Sequence, residues 1–144
     1  MKASSSGQQI KDIFLSKQGF LTSLVDNLPG FAYRCRYDER WTMCFVTDQC
    51  HRVLGYEPRD LIDNQKVSFN DLILPEFRQE VWRRWQKAVE NRSRFEAEYQ
   101  IITADGVEKW ILERGIPIFD SDEKVRFLEG YIEDINQRKK DELL

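Results

Sequence analysis

Residues 95–118 constrain the fold of this chain most strongly. Phe95, Ala97, Tyr99 and Ile101 alternate with Glu96, Glu98, Gln100 and Ile102, the period of a strand with two unlike faces. Asp105-Gly106 then supplies a tight return. Beyond it, Trp110, Leu112, Ile116 and Ile118 share one phase, and Ile111, Glu113 and Gly115 the other. A chain with such a hairpin must build an antiparallel sheet and bury at least one face of it. The second strand is long enough to bend, and a polar turn at residues 120–124 leads into a third strand at 125–133.

Two further strands precede these. Phe31, Tyr33, Cys35 and Tyr37 alternate with Ala32, Arg34 and Arg36; Asp38-Glu39-Arg40 turns the chain, and Trp41, Met43 and Phe45 are expected on one side of a strand ending at Val46. Between residues 47 and 75, Gly55, Pro58, Asp63-Asn64 and Pro75 punctuate short apolar clusters, which predicts short helices around 48–54, 59–61 and 69–73. Pro75-Glu76 opens a longer helix through Asn91, with Phe77, Val81, Trp85, Ala88 and Val89 on a common side. Its other face carries Arg78, Arg83, Arg84 and Lys87, long side chains read as a solvated surface rather than a nucleic-acid contact.

At the N-terminus, Ser6-Gly7-Gln8-Gln9 has the spacing of a capping box. Ile10, Phe14, Leu21, Leu24 and Leu28 then fall near one helical face, broadened by Ile13, Phe20 and Val25, until Pro29-Gly30 breaks the pattern. Such a helix covers its own domain or joins a second copy, with a solvent-bridging helix as the alternative, and Leu21 and Leu24 are the candidate dimer contacts. The polar stretch from Asp134 onward reads as the start of another helix. The expected division is a helical extension over residues 1–28, a core over 29–134 and a connector over 135–144.

The chain's 144 residues leave room for one such core, and 41% hydrophobic with 33% charged residues suit a folded domain with a soluble surface. A net charge of -3 gives little global attraction for nucleic acid or an anionic membrane. No apolar run approaches a bilayer span, and the opening MKASSSGQQIK lacks a secretory core. Cys35, Cys44 and Cys50 form no disulfide framework. A reducing, cytoplasmic setting is the expectation.

The stretches LPGFAYRCRYD, WTMCFVTDQCHRVLGYEPRDLI, SFNDLILPEFR, FEAEYQIITADGVEKWI and FLEGYIEDINQRKK, in that order and spacing, resemble a PAS domain with its C-terminal PAC segment, over approximately Leu21 to Asp141. The resemblance implies an α+β fold: a five-stranded antiparallel sheet in order 2-1-5-4-3, with short helices and one longer helix over one face. It also implies a sensory module of bacterial signalling proteins, such as two-component sensor histidine kinases or diguanylate cyclases, whose catalysis belongs to a separate output domain. Asp134-Ile135-Asn136 is similar to the family's Asp-Ile-Thr junction, with asparagine for threonine. The junction is read as either a signal-coupling element or a local cap. Trp110 resembles the tryptophan that often follows the Asp-Gly turn, and reads first as a sheet anchor.

Ligand-specific members of that family set further expectations. The helix at 75–91 offers no histidine matching an axial haem ligand, and no cysteine follows Cys50 where a cysteinyl flavin would require one. His51, the single histidine, reads as structural or exposed, and no multi-ligand metal spacing is present. The cysteines read as structural. Glu57, Asp60, Asp63, Glu96 and Glu98 come with no positioned nucleophile or phosphate cradle, so no catalytic residue is assigned. An unidentified small ligand would enter between the sheet and the short helices, with Tyr33, Met43, Phe45, Val53, Leu54, Phe69, Leu72, Trp85 and Tyr99 as candidate walls; a pocketless core is the alternative. A homodimer, and an output domain joined to the chain, are the expected partners; the competing function is a constitutive dimerisation or protein-interaction module.

Overall fold

Alternation in the sequence becomes a single five-stranded antiparallel sheet. The structure, a computed structural model, describes residues 17–144. The elements run α1 (Lys17–Asp26), β1 (Phe31–Cys35), β2 (Met43–Val46), α2 (Cys50–Leu54), α3 (Pro58–Leu61), α4 (Phe69–Leu72), α5 (Pro75–Asn91), β3 (Phe95–Ile102), β4 (Glu108–Phe119), β5 (Val125–Asp134) and α6 (Asn136–Glu142). The strand order is β2-β1-β5-β4-β3, as the resemblance implies.

One face of the sheet packs on the helices α2 to α5. Phe31, Tyr33 and Cys35 of β1, Phe95, Ala97, Tyr99 and Ile101 of β3, Ile111 of β4 and Leu128 and Ile132 of β5 are buried in this core, with Leu54, Leu61, Leu72, Val81, Trp85 and Ala88 from the helices. The helix stops follow local chemistry. Gly55 closes α2 in a left-handed conformation, Glu57 and Asp60 form a reciprocal capping box on α3, and the Ser68 hydroxyl accepts a hydrogen bond from the Asp71 amide at the start of α4. α5 begins with Pro75 at its first position, where a missing amide costs nothing.

Both outer strands of the sheet receive one further pairing from the 47–75 connection. Met43 of β2 bridges Ile62 in parallel fashion, and Ile101 of β3 bridges Ile73 in antiparallel fashion. The Asp63 amide donates to the Met43 carbonyl at 2.9 Å and the Leu74 amide to the Gln100 carbonyl at 3.1 Å.

One strand departs from its simple alternation. β2 pairs with β1 as Met43↔Cys35, Phe45↔Arg34 and Val46↔Tyr33, with a register irregularity between Arg34 and Cys35. The extra residue, Cys44, lets both Met43 and Val46 turn inward and sends Phe45 outward, where it is 56% exposed. Phe45 is therefore not a wall of the core. Trp41, expected as the first residue of this strand, precedes it in a left-handed turn conformation with φ 54°.

The opposite sheet face is more polar. Glu129 pairs with Arg34, Glu96 with Arg114, and Glu98 with Arg138 and Lys139. On α1, Phe20, Leu21 and Leu24 are exposed, Leu21 and Leu24 by nearly half, and Leu28 just beyond its end is also exposed. The capping box at Ser6 and the apolar positions Ile10, Ile13 and Phe14 lie outside the described residues.

Candidate functional site

The inward phase of β4 carries an acid. Glu113 is 4% exposed and lies between Ile111 and Gly115, facing the helical layer. Its register partner on β3 is Ala97, and on β5 it is Ile132. The Tyr33 hydroxyl from β1 donates to Glu113 Oε2, and the Tyr99 hydroxyl from β3 donates to Oε1 at 2.5 Å. Burial pushes the Glu113 carboxyl above the usual carboxylate range, against the Tyr33, Tyr99 and Trp85 hydrogen bonds that favour its charge. Burial, followed by the neighbouring Glu113, holds both phenols well above their ordinary value. Cys35 is likewise raised well above a free thiol, first by burial and then by Glu113.

Two glycines make room for the cluster. A Cβ on Gly130 would lie 2.5 Å from the Arg114 carbonyl oxygen and 2.6 Å from the Tyr33 hydroxyl oxygen. A Cβ on Gly115 would lie 2.7 Å from the Glu129 carbonyl oxygen and 2.8 Å from the Trp85 ring. Gly115 and Gly130 are register partners, so β4 and β5 present a bare patch that the Tyr33 phenol and the Trp85 ring approach closely. Trp85 is held from its other direction by stacking on Phe95, with centroids 4.2 Å apart and an interplanar angle of 7°.

Beside Glu113 lies a cavity of about 10 Å³ lined by Tyr33, Met43, Phe69, Trp85 and others, including Trp41, room for about one water-sized body. Four of the residues expected from sequence as walls thus meet there, and Tyr99 joins them through Glu113. Val53, Leu54 and Leu72 are buried but belong to the general core. Sequence reasoning missed Cys35, Glu113, Trp41 and Val81 as lining residues. The available signal was one acid placed between Ile111 and Gly115 in the inward phase of a strand. On the outer side of Trp41 an open pocket of about 250 Å³ is lined by Glu39, Trp41, Asn70, Arg78, Gln79 and Trp82.

The second set of candidate residues meets at the end of β5. Asp134 Oδ1 accepts from the Asn136 amide at 2.8 Å, and Oδ2 pairs with Lys109 Nζ at 3.1 Å. The same Lys109 ammonium donates to the Val53 carbonyl of α2 at 2.9 Å, close to the last carbonyls of that helix, where a cation is favoured. Ile135 donates its amide to the Trp110 carbonyl at 3.0 Å, and Asn136 Oδ1 accepts from the Trp110 amide at 3.2 Å. α6 is further held by Arg138 and Lys139 on Glu98, and the Lys139 ammonium lies 4.8 Å over the Trp110 ring. Hydrogen bonding from Lys139 draws the Glu98 carboxyl below its usual value.

The remaining groups are dispersed. His51 and Glu57 are both largely exposed at 3.7 Å. Cys50 donates to the Tyr56 carbonyl, and burial pushes its thiol up to about 12. Among the described residues no three His, Cys, Asp or Glu side chains are placed to hold a metal ion, and no helix is long and apolar enough to cross a membrane.

A family model described as PAS fold matches residues 43–132. Among solved structures, the chain is similar to a sensory box histidine kinase/response regulator from Burkholderia thailandensis E264, with a TM-score of 0.68 and 24% identity, covering 85% of this chain and 88% of that one. It is also similar to the PAS domain of a protein from Colwellia psychrerythraea, with a TM-score of 0.69, 19% identity and coverage of 82% and 96%. The N-terminal domain of a diguanylate cyclase with PAS/PAC sensor from Marinobacter aquaeolei matches with a TM-score of 0.64, 19% identity and coverage of 76% and 98%. At these identities the likeness is one of fold. No curated protein matches the chain.

Proposed function

The chain belongs to the PAS-fold family, and from that premise we propose that it is a non-catalytic, cytoplasmic sensory module that receives a small ligand in its core and relays the change through α6 to an output domain joined to it. The core of this reading is residues 29–134, with helical extensions at 1–28 and 135–144. A histidine kinase or a diguanylate cyclase is the kind of output that suits it. Haem and cysteinyl flavin do not enter the reading.

The observation that carries it is the position of Lys109. Its ammonium binds the Val53 carbonyl in the helical layer and Asp134 at the sheet exit, so movement of α2 bears directly on the residue that turns β5 into α6. Asp134 also holds the Asn136 amide, which fixes the first turn of α6 through a side-chain-to-backbone bond. Hydrogen exchange of residues 136–142 tests the relay. Asp134→Ala, which removes both bonds, is expected to raise exchange in α6 while leaving the strands protected, and unchanged exchange would reject the coupling role.

A second reading, constitutive dimerisation through α1, is favoured by the exposure of Phe20, Leu21 and Leu24 on that helix. The two readings are compatible, because a helix that pairs two copies leaves the core free to receive a ligand.

A further inference from the structure

Among the described residues Glu113 has no positive partner. Tyr33 and Cys35 from β1 and Tyr99 from β3 are the titratable groups that face it; α5 contributes Trp85. Among the described residues no lysine, arginine or histidine pairs with it. A carboxylate buried in such surroundings must be neutralised by a proton or by a cation. Among the described residues the helical and sheet layers supply no cation, and burial strengthens the carboxyl's hold on a proton against the three hydrogen bonds that favour its charge.

The cavity beside it has the walls that an ammonium ion seeks. Tyr33, Trp41, Phe69 and Trp85 surround it with aromatic rings, whose faces attract a cation by their quadrupole while Glu113 supplies the full opposite charge. The resting volume admits about one water-sized body, so a larger guest needs a wall to move. Trp41 is that wall. It borders both the inner cavity and the open outer pocket, and it is held at φ 54°, a left-handed conformation that bulky residues rarely adopt and that concentrates at ligand clamps and switches. Its ring has two aromatic contacts, to Trp82 at 5.2 Å and to Trp85 at 6.4 Å.

We propose that the Glu113 cluster is a binding site for a small ammonium or methylated ammonium group, which enters past Trp41 and takes the place of the Glu113 proton. The exchange balances: the protonated carboxyl releases one proton to solvent, the carboxylate remains with its two tyrosine hydrogen bonds, and the bound cation restores neutrality. This deepens the ligand-receiving reading above and rests on it.

The test titrates the whole chain with tetramethylammonium chloride and methylammonium chloride, using potassium chloride for ionic strength and tert-butanol as a neutral body of similar bulk. Tryptophan fluorescence reports on Trp41 and Trp85, and a weakly buffered solution reports the released proton. Both ammonium salts are expected to bind saturably, with up to one proton released per cation. Tetramethylammonium cannot titrate, so its affinity is expected to rise about tenfold per pH unit until Glu113 is ionised. Glu113→Gln is expected to weaken binding at least tenfold, and Trp41→Gly, which suits the left-handed backbone, to speed association at least tenfold. If Glu113→Gln fails to fold, the pH dependence of the unaltered chain decides alone, and a pH-independent affinity overturns the proposal. Equal binding of tert-butanol overturns the ammonium class while leaving a ligand-receiving core. Binding of no probe, to the native chain or to Trp41→Gly, overturns the site, and the relay is then judged separately by the Asp134 exchange experiment.

Discussion

Tyr33 stands opposite Gly130 in the β1–β5 register, and its phenol hydroxyl reaches over that glycine to the carboxylate of Glu113. The polar centre of the core therefore depends on the absence of one side chain. Replacing Gly130 with alanine is expected to cost about 1–3 kcal/mol, the range for forced overpacking in a dense interior, because the new methyl group meets both a backbone oxygen and the phenol oxygen. Chemical denaturation of the two proteins would check this. Added loss of the Tyr33 hydroxyl in a Gly130→Ala, Tyr33→Phe double variant should recover part of the cost.

Glu113 also sets a pH dependence with a definite sign. Its folded-state carboxyl is raised by burial, so the folded state binds more protons than the unfolded state above the unfolded value of about 4.3. Stability from this group is fully present below that value and is lost as pH rises through the folded value, at no more than about 1.4 kcal/mol per pH unit. Glu113→Gln removes the descending limb. Subtracting the stability curve of the variant from that of the native chain isolates it from Glu98, whose carboxyl is shifted the other way. A flat difference curve would mean that Glu113 titrates alike in both states.

At the exit of the sheet, the two bonds of Asp134 separate by substitution. Asp134→Asn keeps an acceptor for the Asn136 amide but loses the charge facing Lys109, whereas Asp134→Ala loses both. We expect α6 to be loosened by about 0.5 kcal/mol in the first and about 1–2 kcal/mol in the second, the usual values for a partly exposed ion pair and a terminal side-chain bond. Exchange of the amides in residues 137–141 measures this order directly, and a larger effect from asparagine than from alanine would contradict it.

On α1, aspartate at both Leu21 and Leu24 should weaken self-association at least tenfold without unfolding the core, since neither side chain is buried in it. Sedimentation across protein concentration, with circular dichroism as the check on folding, gives the answer. Native-like association of the double variant would place any dimer contact elsewhere.

The strands and helices were legible because their apolar periods are uninterrupted: Phe95 to Ile101 alternates cleanly, and Val81, Trp85 and Ala88 fall on one helical face. Phe45 is misplaced from sequence because a bulge is decided by pairing, and Cys44, the extra residue with no partner on β1, carries no local mark. Glu113 escaped notice for a related reason. A single acid in a strand looks like an ordinary solvated side chain, and its tyrosine donors lie 80 and 14 positions away. The Asp134 junction was readable as a turn-forming acid before a polar helix. Its partner Lys109, which gives the junction its connection to α2, is brought there only by the folded sheet.

The bridges at Ile62 and Ile73 bear on how far the core can loosen. An open strand border invites pairing with another molecule, and here the borders at β2 and β3 are each met at one residue by the same helical connection. Wholesale release of that connection would bare both borders together and invite aggregation. Opening the core at a single aromatic side chain leaves both bridges in place, so a guest can be admitted without baring more of the sheet to its neighbours.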